Sequence, residues 1–140
     1  MSKNDTDTTI QELKDLMIQF RAERDWSKHH TPKNLAVSIA IEAAELMELY
    51  QWDELPIQNQ QEVNNELANI LMYCFSFANT CNIDIATTFR DKLAAVKKEY
   101  PVELFNKDRV GIADYERIKK AYRVKRQPWI QTNLPTRNYF

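Results

Sequence analysis

The stretch that decides the fold is IAIEAAELMELYQW (Ile39–Trp52), followed after a short loop by ELANILMYCFSF (Glu66–Phe77). Each segment is mostly apolar but includes a pair of polar side chains spaced three positions apart. These pairs are Glu42 with Glu45 and Glu66 with Asn69. Because residues three apart share one face of an α-helix, each segment predicts a helix with a polar pair set into an apolar surface.

Carboxylates flanked by core residues are costly to bury unless a positive charge compensates them. If the two helices pack against each other, their polar pairs meet in one place. A hard cation such as Mg2+, which prefers oxygen ligands, is the simplest compensation. A single pair of glutamates at this spacing is usually a solvated helix face, so it is the repetition on two apolar helices that favours a metal site.

The composition is typical of a globular, helical domain. The 140 residues are 44% hydrophobic and 28% charged, which is enough for one domain with a core. A single glycine argues against tightly turned sheets and against a glycine-rich phosphate loop. A net charge of −1 gives no basic field for a nucleic-acid polymer or an anionic membrane. We find no signal peptide or long apolar span and expect a cytoplasmic protein.

Four amphipathic helices are predicted from start signals and apolar spacing. Thr9 with Glu12 fits a capping box, and Thr31 before Pro32 is a good N-cap. The predicted helices run from about Thr9 to Asp25, from Pro32 to near Trp52, from about Asn59 to Cys81, and from Asp84 to before Pro101. The predicted core positions include Leu67, Leu71, Phe89 and Leu93, and we expect Cys74 and Cys81 to be buried thiols.

These helices and their short connections predict an all-α, four-helix bundle-like domain over residues 1–103. Residues 104–140 form a C-terminal extension, with one short helix expected from Asp114 to Arg123 and then an extended tail. We expect this extension to pack on the bundle or on a neighbouring subunit. The second and third helices are apolar nearly all round, so more than one face must be covered. A homodimer or homotetramer would cover them.

Several separated motifs occur in the order found in a known enzyme family. They are ERDWSKHHTPKNLAVSIAIEAAELMELYQW (23–52), NELANILMYCFSFANTCNID (65–84) and KLAAVKKEYPVE (92–103). From roughly Phe20 to Glu103 the chain resembles the MazG-like nucleoside triphosphate pyrophosphohydrolases, and within them the dCTP-pyrophosphatase-type branch. The resemblance implies an all-α oligomeric enzyme that keeps nucleotide pools clean. Such an enzyme uses Mg2+, or Mn2+ in its place, to hydrolyse a nucleoside triphosphate, such as the dNTP dCTP, to monophosphate and pyrophosphate.

The resemblance also implies roles for individual residues. Glu42, Glu45 and Glu66 match acidic metal ligands and are the implied catalytic residues, with Asn69 at the fourth ligand position. Seven other residues match positions that bind the nucleotide: Trp26, Trp52 and Tyr73 at the base, Lys92 and Lys98 at the phosphates, and His30 and Asn34 in the HxPKN segment. Without the resemblance, the presence of the two lysines near a helix C-terminus is explained equally well by the helix dipole. The two tryptophans are likewise explained by packing in the core or at an interface.

Two positions depart from the family pattern. Asn69 stands where the family usually has Asp, and Val96 stands where it usually has Asn. An amide offers a carbonyl oxygen but no charge, and valine cannot hydrogen-bond a substrate. Three functions therefore stay open: a pyrophosphohydrolase, a nucleotide-binding sensor or regulator with little turnover, and a helical scaffold. We expect the enzyme, because three carboxylates, the lysines and the aromatic residues remain.

Overall fold

The structure, a computed structural model, describes residues 4–52, 60–102, 115–117 and 119–121. Within these ranges the regular elements are helical and no strand occurs, so the predicted all-α class is confirmed. The four main helices are α1 (Ile10–Ala22), α2 (Pro32–Glu48), α3 (Gln60–Thr80) and α4 (Ile85–Glu99). Helix α2 ends about one turn before the predicted position, because the chain tightens into a turn where the Tyr50 N–H donates to the Met47 carbonyl at 3.0 Å.

The first two helices begin at the predicted side-chain caps. The Glu12 N–H donates to Thr9 Oγ1 at 3.1 Å, and the Thr9 N–H donates to Glu12 Oε2 at 2.7 Å, which is a complete capping box. The Asn34 N–H donates to Thr31 Oγ1 at 3.2 Å. Each cap satisfies backbone donors that have no partner inside the helix, which fixes where the helix starts.

A tight turn joins α3 to α4. Asn82 has a φ of 54°, in the left-handed region, and the Ile83 N–H donates back to the Ala78 carbonyl at 2.8 Å. This bonding closes the C-terminus of α3. Two residues later Asp84 Oδ1 accepts the Thr87 N–H at 2.7 Å and caps α4. That hydrogen bond lowers the pKa of Asp84, because it favours the ionised carboxylate.

Helix α3 packs against both α2 and α1. Two long-range hydrogen bonds connect α1 to the end of α3 and the turn after it. Lys14 Nζ donates to the Ile83 carbonyl at 3.0 Å, and Asn79 Nδ2 donates to the Lys14 carbonyl at 2.9 Å. Helix α3 is therefore the element on which the other two are arranged.

The predicted core was wrong at several positions. Leu67 and Leu71 on α3 are 50% and 45% exposed, and Phe89 and Leu93 on α4 are 66% and 42% exposed. Among the described residues, the fully buried hydrophobic residues are Leu35 and Ala78. Periodicity identified the apolar faces correctly, but in this single chain other described residues do not cover them. Cys74 and Cys81 are unpaired thiols, as expected, but they are half-buried.

The chain divides into two units, Met1–Asp91 and Lys92–Phe140, with the boundary inside α4. In the second unit, residues 115–117 and 119–121 are helical and fall within the short helix expected there. The rest of the C-terminal extension, 104–140, lies outside the described residues, so its predicted docking stays a prediction. Within the described part of the chain, no helix is both long and apolar enough to cross a membrane.

The turn at Asn82 gives a test of the fold. A left-handed φ costs a residue with a Cβ about 1 to 2 kcal/mol, and glycine adopts it freely. We expect Asn82→Ala to lower the free energy of unfolding by about 1 kcal/mol and Asn82→Gly to leave it unchanged or higher. Urea denaturation measures both. Asn65→Ala, inside α3, is the control and should stay within about 0.5 kcal/mol of wild type. A larger loss for glycine than for alanine would contradict the turn geometry.

Candidate functional site

Three carboxylates converge between α2 and α3. One oxygen from each of Glu42, Glu45 and Glu66 lies within 4.8 Å of the others. Glu42 and Glu45 are one turn apart on α2, and Glu66 reaches them from α3, which packs against α2. Glu42 and Glu66 are half-buried and Glu45 is exposed. The structure therefore brings together the carboxylates that the sequence predicted would meet, and we call them the acidic cluster.

Asn69 lies beside the acidic cluster, one turn after Glu66 on α3. Its Nδ2 donates to Glu66 Oε2 at 3.2 Å, and the Asn69 side chain also acts to lower the pKa of Glu42, against the effect of burial. In this orientation the amide offsets part of the negative charge. Rotated by half a turn, the same group would offer its carbonyl oxygen to a cation, since the two ends of an amide have nearly the same shape.

The acidic cluster carries an excess of negative charge. Burial raises the pKa of Glu42 above its ordinary value, and the charges of Glu45 and then Glu66 raise it further. The ion pairs between Arg24 and Glu23 and between Lys28 and Asp25 lie outside this cluster. An all-oxygen donor set with uncompensated charge fits a hard divalent cation such as Mg2+.

A cavity of about 150 Å³ adjoins the acidic cluster. Its walls come from α1, the loop after α1, α2 and α3. They are Met17, Phe20, Trp26, His30, Glu42, Asn69, Met72, Tyr73 and Ser76. Glu42 and Asn69 belong both to this cavity and to the acidic end of the site, so a ligand held in the cavity would lie directly beside the carboxylates.

The loop after α1 places two of the predicted ligand-binding residues in the cavity wall. Asp25 has a φ of 53°, which turns the chain back so that the Trp26 N–H donates to the Arg21 carbonyl at 3.0 Å. The Trp26 ring then packs edge-on against Phe20, with centroids 5.5 Å apart. The His30 N–H donates to the Trp26 carbonyl at 3.1 Å, and the two rings lie 5.8 Å apart.

One face of α3 runs along the whole site. Glu66, Asn69, Tyr73, Ser76 and Thr80 are spaced by three and four residues, so they share that face. A helix rises 1.5 Å per residue, which puts Ser76 about 10 Å along the axis from Asn69. The acidic cluster therefore lies at one end of the cavity wall formed by α3, and Ser76 lies at the other.

The end of the site around Ser76 contains a buried arginine. Arg21 is 8% exposed, and its Nη1 donates to the Ser76 carbonyl at 3.3 Å and to Thr80 Oγ1 at 3.2 Å. Three buried side-chain atoms have no hydrogen-bond partner among the described residues: Arg21 Nε, His30 Nδ1 and Ser76 Oγ. Burial lowers the pKa of His30, and the charges of Arg21 and His29 lower it further, which favours the neutral imidazole.

Arg21 and Ser76 were missed by the sequence analysis. The spacing that continues from Asn69 through Tyr73 to Ser76 could have identified the serine, because it extends the polar face by one more turn. No sequence signal marks Arg21, since an arginine in the last turn of a helix is usually solvated and favoured by the helix dipole.

The structure brings together some of the predicted nucleotide-binding residues and not others. Trp26, His30 and Tyr73 line the cavity. Asn34 is exposed and outside that lining, and its Nδ2 donates to the His29 carbonyl at 2.8 Å, which stabilises the loop. Trp52 is 86% exposed and is also outside it. Lys92 and Lys98 are exposed and Val96 is half-buried, and all three lie on the part of α4 that belongs to the second unit. The ligand roles of these residues stay predictions.

Comparison with known proteins identifies the family. A sequence model of the MazG-like family matches residues 37–111 of this 140-residue chain. The chain belongs to the MazG-like family. Among the relatives of this MazG-like protein, dCTP pyrophosphatase 1 of Bos taurus is 33% identical over 107 residues, which is 71% of this chain and 63% of the relative. The Homo sapiens protein of the same name is 31% identical over 104 residues, 69% of this chain and 61% of the relative.

The matched region thus spans less than two thirds of the length of these relatives. A solved structure of a pyrophosphatase from Archaeoglobus fulgidus is also similar, with 34% identity and a TM-score of 0.64. That match covers 72% of this MazG-like chain and 98% of the archaeal chain. The resemblance drawn from the motifs is confirmed, and so is the fold that it implied.

The raised pKa of Glu42 makes the stability of the metal-free protein depend on pH. The folded state holds the Glu42 proton more tightly than the unfolded chain does, so this group's contribution to the free energy of unfolding falls as pH rises from 4.5 through the raised pKa. In EDTA we expect Glu42→Gln to be more stable than wild type near pH 7, and the difference to shrink towards pH 4.5.

Chemical denaturation across this pH range, with and without Mg2+, measures the effect. Mg2+ should raise the free energy of unfolding of wild type more than that of Glu42→Gln, because the cation binds the charged cluster of the folded state. Asp15→Asn, an exposed carboxylate on α1, is the matched control. A stability difference for Glu42→Gln that does not change with pH would contradict the electrostatic account.

Proposed function

We propose that this chain is a Mg2+-dependent nucleoside triphosphate pyrophosphohydrolase of the nucleotide pool. It would hydrolyse a dNTP, with dCTP as the leading candidate, to the monophosphate and pyrophosphate in the cytoplasm. The observation that supports this most is the acidic cluster directly beside an aromatic-lined cavity. The relatives named dCTP pyrophosphatase 1 and the archaeal pyrophosphatase support the same chemistry.

The size of the cavity supports a pyrimidine base. A cavity of about 150 Å³ in another protein binds benzene, a single six-membered ring, and the cavity here has about the same volume. Trp26 and Tyr73 offer aromatic surfaces for stacking or edge contacts with such a ring.

The donor set supports a divalent cation. Glu42, Glu45 and Glu66 would hold Mg2+, or Mn2+ in its place, and the Asn69 carbonyl could supply a fourth oxygen. When bound, the ion supplies positive charge against the triphosphate oxygens. A carboxylate of the acidic cluster would accept a proton from the attacking water. The water oxygen bonds to the α-phosphorus as the bond from that phosphorus to the β-phosphate oxygen breaks, and pyrophosphate leaves. Lys92 and Lys98 would offset the charge on it.

A second candidate is a nucleotide-binding sensor or regulator with little turnover. The observation that favours it is Asn69, which is uncharged and donates a hydrogen bond to Glu66 instead of adding a fourth carboxylate. A site with fewer charged ligands binds a divalent cation more weakly. The enzyme ranks first because one oxygen from each of the three carboxylates still lies within 4.8 Å of the others.

We also propose that the chain works as a homodimer or homotetramer. Apolar side chains spaced by one turn are exposed on both central helices: Val37 and Ile41 on α2, and Leu67 and Leu71 on α3. Exposed apolar faces of this kind mark helix-on-helix interfaces. A second copy would cover these faces, which the described part of a single chain leaves exposed.

The enzymatic proposal is tested by incubating the protein with each NTP and dNTP in Mg2+ or Mn2+. Monophosphate and pyrophosphate should appear in equal amounts, with no free phosphate. We expect Glu66→Gln to lower kcat/KM by about 100-fold or more, because even the outer-shell partners of metal ligands cost 10–100-fold. Asp15→Asn, a carboxylate on α1 outside the cluster, is the control and should retain wild-type activity.

Asn69→Asp separates the two candidate functions. For an impaired enzyme the added charge should lower the Mg2+ concentration needed for half-maximal activity by about tenfold, since affinity rises with ligand charge. Nucleotide binding without products, unchanged by this substitution, would support the sensor. If wild type neither binds nor hydrolyses any nucleotide, both candidates are wrong.

The oligomer is tested by sedimentation velocity of the full chain. We expect wild type to sediment as a dimer or tetramer, and Leu67→Gln to shift the distribution towards monomer because it puts an amide into an apolar interface. Leu16→Gln, an equally exposed leucine on α1, is the control and should keep the wild-type mass. A monomeric wild type at micromolar concentration would contradict the proposal.

A further inference from the structure

Ser76 is a buried polar residue that the proposed chemistry does not use. It is 1% exposed and lines the cavity, yet its Oγ has no hydrogen-bond partner among the described residues. A serine inside a helix commonly bonds a carbonyl of the preceding turn, which Ser76 does not do. An unpaired buried hydroxyl costs free energy, so its place in a cavity wall calls for an explanation.

Other polar groups of the site also support a ligand-binding role for this hydroxyl. His30 Nδ1, in the wall of the same cavity, is also buried without a partner. Arg21 holds this turn of α3 in place, because its Nη1 donates to the Ser76 carbonyl and to Thr80 Oγ1. The remote end of the cavity is thus rigid, polar and unsatisfied. Such an arrangement suits a ligand that brings its own hydrogen-bonding group.

We propose that the Ser76 hydroxyl, with His30 Nδ1 in the wall of the same cavity, hydrogen-bonds the substituent at C4 of a pyrimidine base. This inference rests on the proposed function, which places the triphosphate at the acidic cluster. In a pyrimidine nucleotide the sugar is attached at N1, and C4 lies across the ring from N1. With the phosphates near Asn69, the C4 edge points along α3 towards Ser76, about 10 Å further along the helix axis.

A hydroxyl suits this position for either pyrimidine type. It accepts a hydrogen bond from the amino group of cytosine and donates one to the oxo group of uracil or thymine. A base without a C4 substituent would leave Ser76 unpaired, and sites built to hydrogen-bond a ligand group discriminate strongly against ligands that lack it. Ser76 would therefore make the site selective for a substituted base edge.

The test is a cycle of two proteins and two ligands. Wild type and Ser76→Ala are titrated calorimetrically, in Mg2+, with non-hydrolysable α,β-imido deoxynucleoside triphosphates. One ligand carries cytosine or uracil, whichever wild type binds more tightly, and the other carries 2-pyrimidinone, which lacks the C4 substituent. We expect wild type to bind 2-pyrimidinone about tenfold more weakly, and Ser76→Ala to bind both ligands with about that weaker affinity.

A structural role for Ser76 would give a different pattern. Because Oγ bonds to nothing among the described residues, Ser76→Ala should not lower the free energy of unfolding. Cys74→Ala, a half-buried α3 position outside the cavity lining, is the matched control and should keep the wild-type discrimination between ligands. A loss of affinity for both ligands alike, together with a loss of stability, would overturn the inference.

The remaining outcomes are also decisive. If Ser76→Ala discriminates between the two ligands as wild type does, the C4 contact is wrong while the proposed function stands. If wild type binds neither nucleotide, the proposed function fails and this inference fails with it. Binding without turnover in the hydrolysis assay still allows the cycle to be measured, because the ligands used here cannot be cleaved.

Discussion

The repulsion among Glu42, Glu45 and Glu66 is the constraint on which this structure depends. Three carboxylates lie within 4.8 Å of one another, and two of them are half-buried. Burial and then the charges of Glu45 and Glu66 disfavour the ionised form of Glu42, as its raised pKa shows. The apolar packing of α2 on α3 holds these groups together against that repulsion. A divalent cation bound there would relieve this repulsion, so the cost of holding the carboxylates together favours its binding.

Helix α3 fixes the positions of the polar groups along the site. Its rise per residue sets the distance from the carboxylates at one end to the buried serine at the other, and its side-chain spacing keeps Asn69, Tyr73 and Ser76 on one face. The loop after α1 supplies the opposite wall through Trp26 and His30. Because one rigid element carries both the acidic groups and the far end of the cavity, small shifts of the loop would change the width of the cavity and leave its length unchanged.

The sequence predicts the local features of this protein well. Thr9 and Thr31 cap their helices as expected, because a cap depends only on residues three positions apart. The meeting of the acidic groups follows from helical spacing and from the packing of two neighbouring helices. Features that depend on distant packing were missed. Arg21 is buried only because Ser76 and Thr80, more than fifty positions away, offer it acceptors. Apolar spacing predicts Leu67 and Leu71 as core positions, because it shows which residues avoid water and not which surface covers them.

Asn69 contributes to both the acidic cluster and the cavity wall. A carboxylate at this position would add a fourth negative charge to a group that already repels itself. The amide instead donates to Glu66 and lowers the cost of holding the cluster together without a cation. The same loss of charge weakens the attraction for that cation. Because both effects come from one charge, residue 69 sets a balance in which a more stable metal-free protein is also a weaker metal binder.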